Sequence, residues 1–227
     1  MIFHPMDFLI FLAFGLSIWA QFKVSSNFKK WSEVPVSSGM TGFEAARRYL
    51  DDNGLRDVAI ELTPGKLSDH YDPTARVIRL SEDVYHGTTI AALSVACHEV
   101  GHAIQHKESY GFLTLRHRIF PVARFSSGIA PLLLIGGLLL QATSLIGIGI
   151  VLFSAAVFFQ LITLPVEFNA SSRAKDAMIS QGFIVNEEER GVNKVLGAAA
   201  LTYVAATLIS LFELLKFIMI FTQSGDE

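Results

Sequence analysis

The sequence predicts a mainly α, polytopic membrane protein with about four transmembrane helices and a wet α+β region on one side of the bilayer. Three observations point there. The 227-residue chain is 51% hydrophobic, has a mean hydropathy of +0.44 and is only 17% charged, a balance that soluble domains rarely show. The apolar surplus falls in blocks long enough to cross a membrane. The charge falls between those blocks: every Lys and Arg except Lys216 lies within residues 23–124 or 166–196.

The first block, Phe8 to Phe22, is about 15–17 apolar residues, near the short limit for a span. No Lys or Arg precedes it, while Lys23, Lys29 and Lys30 follow, which fits an uncleaved anchor better than a cleaved signal peptide. Thr41-Gly-Phe-Glu44 opens an amphipathic helix with Thr41 as N-cap, Glu44 completing a capping box and Gly54 ending it. Val58–Leu62 and Arg76–Leu80 alternate like strands and are separated by the turn-rich Pro64-Gly65 and Asp72-Pro73. They read as a small supporting sheet, whose open edge could also take an extended peptide by strand addition. Thr88 or Thr89 caps a helix running through His106, with Ala92, Val95, Ala96 and Ile104 at helical spacing. Ile129–Gln141 and Leu145–Pro165 are two spans joined by a tight turn at Gln141-Ala-Thr-Ser144. A helix leaves the membrane from Glu167 through Ala174. The last block, Ala198–Phe221, carries Glu213 and Lys216 three apart on one face, where they could pair or mark the end of a shorter span.

The chain thus divides into an anchor (1–22), a wet region (23–124), a hairpin (125–166), a helix (167–196), and a final span with its tail (197–227). Four crossings put the two basic stretches on the same side, and the positive-inside rule assigns that side to the cytoplasm. The N-terminus, the 141–144 turn and the acidic tail Gly225-Asp226-Glu227 fall on the other. The single cysteine, Cys97, excludes an intramolecular disulfide framework and reads as core filler. The net charge of −3 says little about partners. No nucleotide-binding loop or nucleic-acid patch is evident, the Gly-rich 136–149 stretch reads as membrane packing, and Glu187-Glu188-Glu189 reads as a solvated helix start.

The chemistry lies in His98-Glu99-Val100-Gly101-His102. On a helix, positions i and i+4 share a face, so both imidazoles can reach one metal ion, and Glu99 stands beside it where it can activate water. The motif is short; roughly one random chain of this composition in a hundred would carry it, so context must decide. Two ordinary buried histidines are the plain alternative, but a carboxylate between them on an apolar helix is costly without a partner, and a metal supplies one. Catalytic zinc takes three protein ligands. His106, at i+8, is one turn too far and reads as a helix C-terminal cation. His4, His70, His86 and His117 are available by composition. Glu167, just after Pro165 at the cytoplasmic end of the third span, is the better placed, although on spacing alone a solvated carboxylate fits it equally.

The combination of His98-Glu-Val-Gly-His102, a transmembrane hairpin and Glu167-Phe-Asn-Ala170 resembles the membrane-integrated gluzincin peptidases. Asp69-His-Tyr-Asp-Pro73, Arg79-Leu-Ser81, Ala96 to Gln105, Val166 to Ser171 and Leu201-Thr-Tyr203 narrow this to the YugP-like neutral zinc metallopeptidases of bacterial membranes, over nearly the whole chain. The resemblance implies a zincin-like cytoplasmic region, one Zn2+ per chain held by His98, His102 and Glu167, Glu99 as the catalytic base, and a bacterial inner (plasma) membrane. It brings in His70, Arg79, Asn169 and Ser171 as residues of the substrate site or of the surroundings of the metal. Ser171 stands where some gluzincins carry an Asp that supports a zinc histidine. No His follows His117, so Tyr203 is the substitute for a later oxyanion stabiliser, although an aromatic anchor at the membrane interface fits it as well.

The expected reaction is zinc-assisted hydrolysis of peptide bonds in membrane or membrane-proximal proteins, with protein or peptide substrate and the bilayer as partners. Two alternatives stand beside it. An intramembrane protease would bury the motif helix in the bilayer, yet Glu82, Asp83, Lys107 and Glu108 flank it and its apolar run is too short to span. A non-catalytic membrane adaptor would hold a closed four-ligand metal, with His70 as the added ligand.

Overall fold

The computed structural model describes residues 4–224. The acidic tail at 225–227 lies outside them. In chain order the elements are α1 (Pro5–Trp31), α2 (Gly42–Asp52), β1 (Ala59–Thr63), β2 (His70–Asp72), β3 (Val77–Ser81), α3 (Glu82–Tyr85), α4 (Ile90–Lys107), α5 (Gly111–Leu139), α6 (Thr143–Ser180) and α7 (Glu189–Ser224). The architecture is mainly helical with one small sheet. Among the described residues, α1, α5, α6 and α7 are long and apolar enough to cross a membrane. The motif helix α4 is not one of them.

The chain separates into two compact units. The first holds the chain up to Ala20, residues 112–165 and residues 201 onward. Its helices expose large apolar side chains such as Phe11, Phe125, Leu132 and Val151, which suits a lipid environment. The α5–α6 turn is tight, with Gln141 at φ 53°, and the hairpin arms nearly touch: a Cβ on Gly137 would lie 2.9 Å from the Ile146 nitrogen. Gly137, Gly147 and Gly149 of this stretch pack against neighbouring side chains, whereas Gly136 has open space beside it. Lys216 pairs with Asp7 of α1, not with Glu213 three residues away. Glu213 and Lys216 both lie within the uninterrupted 36-residue helix α7.

The second unit comprises residues 21–111 and 166–200. Its core gathers Leu50, Leu55, Val58, Ile78, Leu80, Val84, Leu93, Val100, Met178 and Phe183. Cys97 is fully buried within it. Thr41 caps α2 with the reciprocal Glu44 bonds of a capping box, and Gly54, at φ +67°, follows the helix end. Thr89 caps α4 by accepting from the Ala92 N–H.

The sheet differs from a two-strand reading. Its order is β1-β3-β2, with β1 parallel and β2 antiparallel to β3. β2 has three residues, too few for an alternating pattern to show. Asp69 fixes it: its carboxylate accepts from both the backbone N–H and the hydroxyl of Ser81. Burial pushes the Asp69 pKa up in spite of those bonds. Glu188 is also not solvated. It is buried and accepts from the Ser37 N–H, the Ser37 hydroxyl and the Val185 N–H, clamping the loop before α2 to the turn before α7.

Candidate metal centre

α4 presents His98 and His102 one turn apart, with ring centroids 4.7 Å from each other. α6 presents Glu167. Pro165 does not end that helix; it stands inside it, so α6 runs on without a break through the carboxylate to Ser180. Helix-interior proline removes one backbone donor, and here one missing bond is absorbed in a 38-residue helix.

What lets the two helices meet is Gly101, the fourth residue of the motif. A Cβ there would lie 2.8 Å from the Ala170 carbonyl oxygen and 3.1 Å from its Cα. Glycine on one helix and Ala170, 0% exposed, on the other set the close approach. This gives a physical reason for the small residue three places after Glu167.

The result is a triangle of donor atoms. His98 Nε2 and His102 Nε2 are 3.2 Å apart, and Glu167 Oε2 is 3.4 Å from the first and 3.5 Å from the second. A tetrahedral ion with bonds of about 2.0–2.1 Å needs its ligand atoms about 3.3–3.4 Å from one another. Two imidazole nitrogens and a carboxylate oxygen are a donor set of catalytic zinc, so both chemistry and spacing fit that ion. Burial works against a charged His102, but the Glu167 and Glu99 carboxylates outweigh it and hold its pKa above the ordinary value.

The surroundings orient these donors. Gln105, fully buried one turn after His102, donates from Nε2 to the Val166 carbonyl at 2.8 Å and to Asn169 Oδ1 at 2.9 Å. A carbonyl can only accept, so the amide orientation is fixed and Gln105 Oε1 faces His102 Nδ1 at 3.0 Å. His102 must then carry its proton on Nδ1, which leaves the Nε2 lone pair for a metal. Asn169 Oδ1 also accepts from Arg173 Nε, and the Arg173 guanidinium pairs with Glu108 at 2.7 Å. Sequence reasoning missed Gln105, because a glutamine three residues after a histidine carries no signal by type. Ser171 Oγ lies 3.1 Å from His98 Nδ1, the place where a supporting Asp would otherwise act.

Glu99 is 8% exposed, and its Oε2 accepts from the Tyr71 backbone N–H at 2.9 Å. The outer edge of β2 is therefore turned to α4 at Tyr71 and closed there by the carboxylate. The Tyr71 hydroxyl lies 2.8 Å from His106 Nδ1, which places His106 in the last turn of α4 and away from the donor triangle. Tyr71 is the second residue that sequence reasoning missed; its role comes from a backbone group, which no side-chain pattern reveals. Among the described residues, the other candidates are not part of the donor triangle. His70 is exposed, with Nδ1 2.8 Å from the Ser68 carbonyl. Arg79 is engaged by Asp72 at 2.9 Å and Glu61 at 3.3 Å. His86 ends α3, and His4, His117 and Tyr203 belong to the other unit.

Comparison with known proteins points to zinc as well. Residues 6–222 match the family described as "Putative neutral zinc metallopeptidase". Over 220 residues the chain is 69% identical to "Putative membrane protease YugP" of Bacillus subtilis (strain 168), covering 97% of this chain and 98% of that one. No solved structure matches the chain significantly. The membrane protease relative and the four apolar helices together mark a multi-pass membrane protein. With that family matched along nearly all of its length, the chain belongs to the family described as "Putative neutral zinc metallopeptidase".

Proposed function

We propose that this protein is a zinc-dependent endopeptidase of a bacterial plasma membrane that cleaves membrane or membrane-proximal proteins. One zinc ion per chain sits between His98, His102 and Glu167, on the cytoplasmic side. The observation that carries this reading is the donor triangle, whose edges of 3.2, 3.4 and 3.5 Å suit a tetrahedral ion, with Glu99 on the same helix.

Bound zinc supplies Lewis acidity, making water a nucleophile near neutral pH and drawing electron density from a carbonyl. Glu99 takes the proton from that water and passes it to the leaving amine. The Tyr71 N–H holds the carboxylate in place for both transfers. Gln105 and Ser171 keep the two imidazoles turned so that Nε2 faces inward. His70 in β2 and Arg79 in β3 are the residues that contact the substrate chain in this reading. The cytoplasmic placement rests on the bias of Lys and Arg toward the segments that hold the cluster.

The test is cleavage of an unstructured protein such as casein by purified wild type and Glu99→Gln. The expected outcome is turnover by wild type and a loss of at least about 100-fold in the variant, in line with the usual value of a positioned base. Undiminished cleavage by Glu99→Gln would remove Glu99 from the mechanism.

A further inference from the structure

A second recess in the same unit has no part in the metal chemistry. Its volume is about 250 Å³, and Lys23, Asn27, Lys30, Trp31, Arg190 and Lys194 line it. Four of those six side chains are cations and none is an acid.

The recess is built from two helix faces. Lys23, Asn27, Lys30 and Trp31 follow one another at i, i+4, i+7 and i+8 on α1, and Arg190 and Lys194 at i and i+4 on α7. Asn27 Nδ2 donates to the Lys194 carbonyl at 3.1 Å and ties the two faces together. Trp31 packs on Gly191, where a Cβ would come within 2.7 Å of the indole ring. Lys30 Nζ stands 5.5 Å from the centroid of the Trp31 ring, which holds that ammonium group at the rim. Lys30, Arg190 and Lys194 gathered in one recess repel one another, and a bound anion removes that cost.

The position along the chain tells which anion. Lys23 directly follows the apolar stretch that ends at Phe22, and Lys194 precedes the apolar stretch that begins at Ala198. Both basic faces thus lie next to apolar stretches along the chain, where a spanning segment meets the headgroup region, and Trp is an interfacial residue. We propose that this recess binds a phosphate-bearing anion, and specifically the phosphodiester of an anionic phospholipid.

The test uses the full chain in detergent. Binding of dioctanoyl phosphatidylglycerol, dioctanoyl phosphatidylcholine and inorganic phosphate is measured by calorimetry on wild type, on Lys30→Gln/Arg190→Gln/Lys194→Gln, and on the charge-matched control Lys29→Gln/Arg56→Gln/Lys66→Gln. All six positions are solvent-exposed, so the core is not disturbed, and an unchanged melting temperature verifies this. The expected result is phosphatidylglycerol binding that the first variant weakens about 100-fold, as three lost contacts of this kind would, and that the control retains. Phosphatidylcholine should bind far more weakly than phosphatidylglycerol. The same loss seen with inorganic phosphate alone would keep the anion site and assign it to a soluble phosphate. Equal phosphatidylglycerol affinity in the two triple variants, or none in wild type for either phosphatidylglycerol or inorganic phosphate, would overturn the proposal.

Discussion

Gln105 decides which nitrogen of His102 is left open toward the donor triangle, since a backbone carbonyl dictates the orientation of its amide and the amide dictates the imidazole tautomer. Replacing it with leucine keeps the volume but leaves the Val166 carbonyl and Asn169 without their donor and His102 Nδ1 without its acceptor. We expect zinc affinity to fall about 10–100-fold, the usual effect of losing such a partner, read by competition with a chromogenic chelator. Gln105→Glu keeps the acceptor for His102 and loses the donors, so it should retain more zinc affinity than the leucine variant while melting at a lower temperature. Equal zinc affinity in wild type and Gln105→Leu would mean that the tautomer is set elsewhere. At this scale the placement of residues was legible where type and spacing carry it: His98, Glu99 and His102 follow from the motif, and Ser171, which reaches His98 Nδ1, from its place four residues after Glu167. Gln105 and Tyr71 were not, because one acts through an amide and the other through its backbone.

The two helices that make the site are held by a contact between backbones, and this sets what can be repaired. In Gly101→Ala the new methyl meets the Ala170 carbonyl, so α4 and α6 must separate. Overpacking of this kind costs about 1–3 kcal/mol and should widen the donor triangle. The variant is expected to melt lower and to lose zinc, and Ala170→Gly should not rescue it, since the collision is with main chain. Rescue by that second change would place the contact at the side chain instead. Capped helices were legible from Thr41, Glu44 and Thr89, whose side-chain oxygens serve exposed N–H groups. The course of α6 through Pro165 was less so: a proline usually ends a helix, but tertiary packing on both sides of it holds this one straight through. β2 was hidden by its three-residue length, and its place comes from Asp69 reaching Ser81, a contact between residues 12 apart.

Over the molecule as a whole, two properties follow from where charge is buried or exposed. Hydrogen bonds from Ser37 and Val185 outweigh the burial of Glu188 and hold its pKa below the ordinary 4.5. The folded value lies below the unfolded one, so the stabilisation is fully present above about pH 4.5 and is lost as pH falls through the folded value. Glu188→Gln should therefore melt below wild type at pH 7, by roughly 2–3 kcal/mol for bonds to a charged acceptor, and the gap should close below about pH 4.5. A gap that stays constant down to pH 3 would assign the effect to packing alone. Topology is the second property. Cys97 is fully buried, and burial pushes its thiol pKa up, so the native chain offers no reactive thiol. A cysteine at Lys66 should react with an impermeant maleimide only after the cells are opened, and one at Gln141 in intact cells; the reverse pattern would turn the protein over in the membrane. The number and order of the candidate spans were legible because hydropathy is additive along a segment, and Glu167 was legible as the better-placed third donor from its position and the family resemblance; the packing of Gly101 on Ala170 that brings it to the motif, across 69 residues of chain, was not. The most direct test of the account is the zinc content of purified wild type, Glu99→Gln and Glu167→Ala. The account predicts one zinc ion per chain in the first two and little in the third. A full complement of zinc in Glu167→Ala would contradict it.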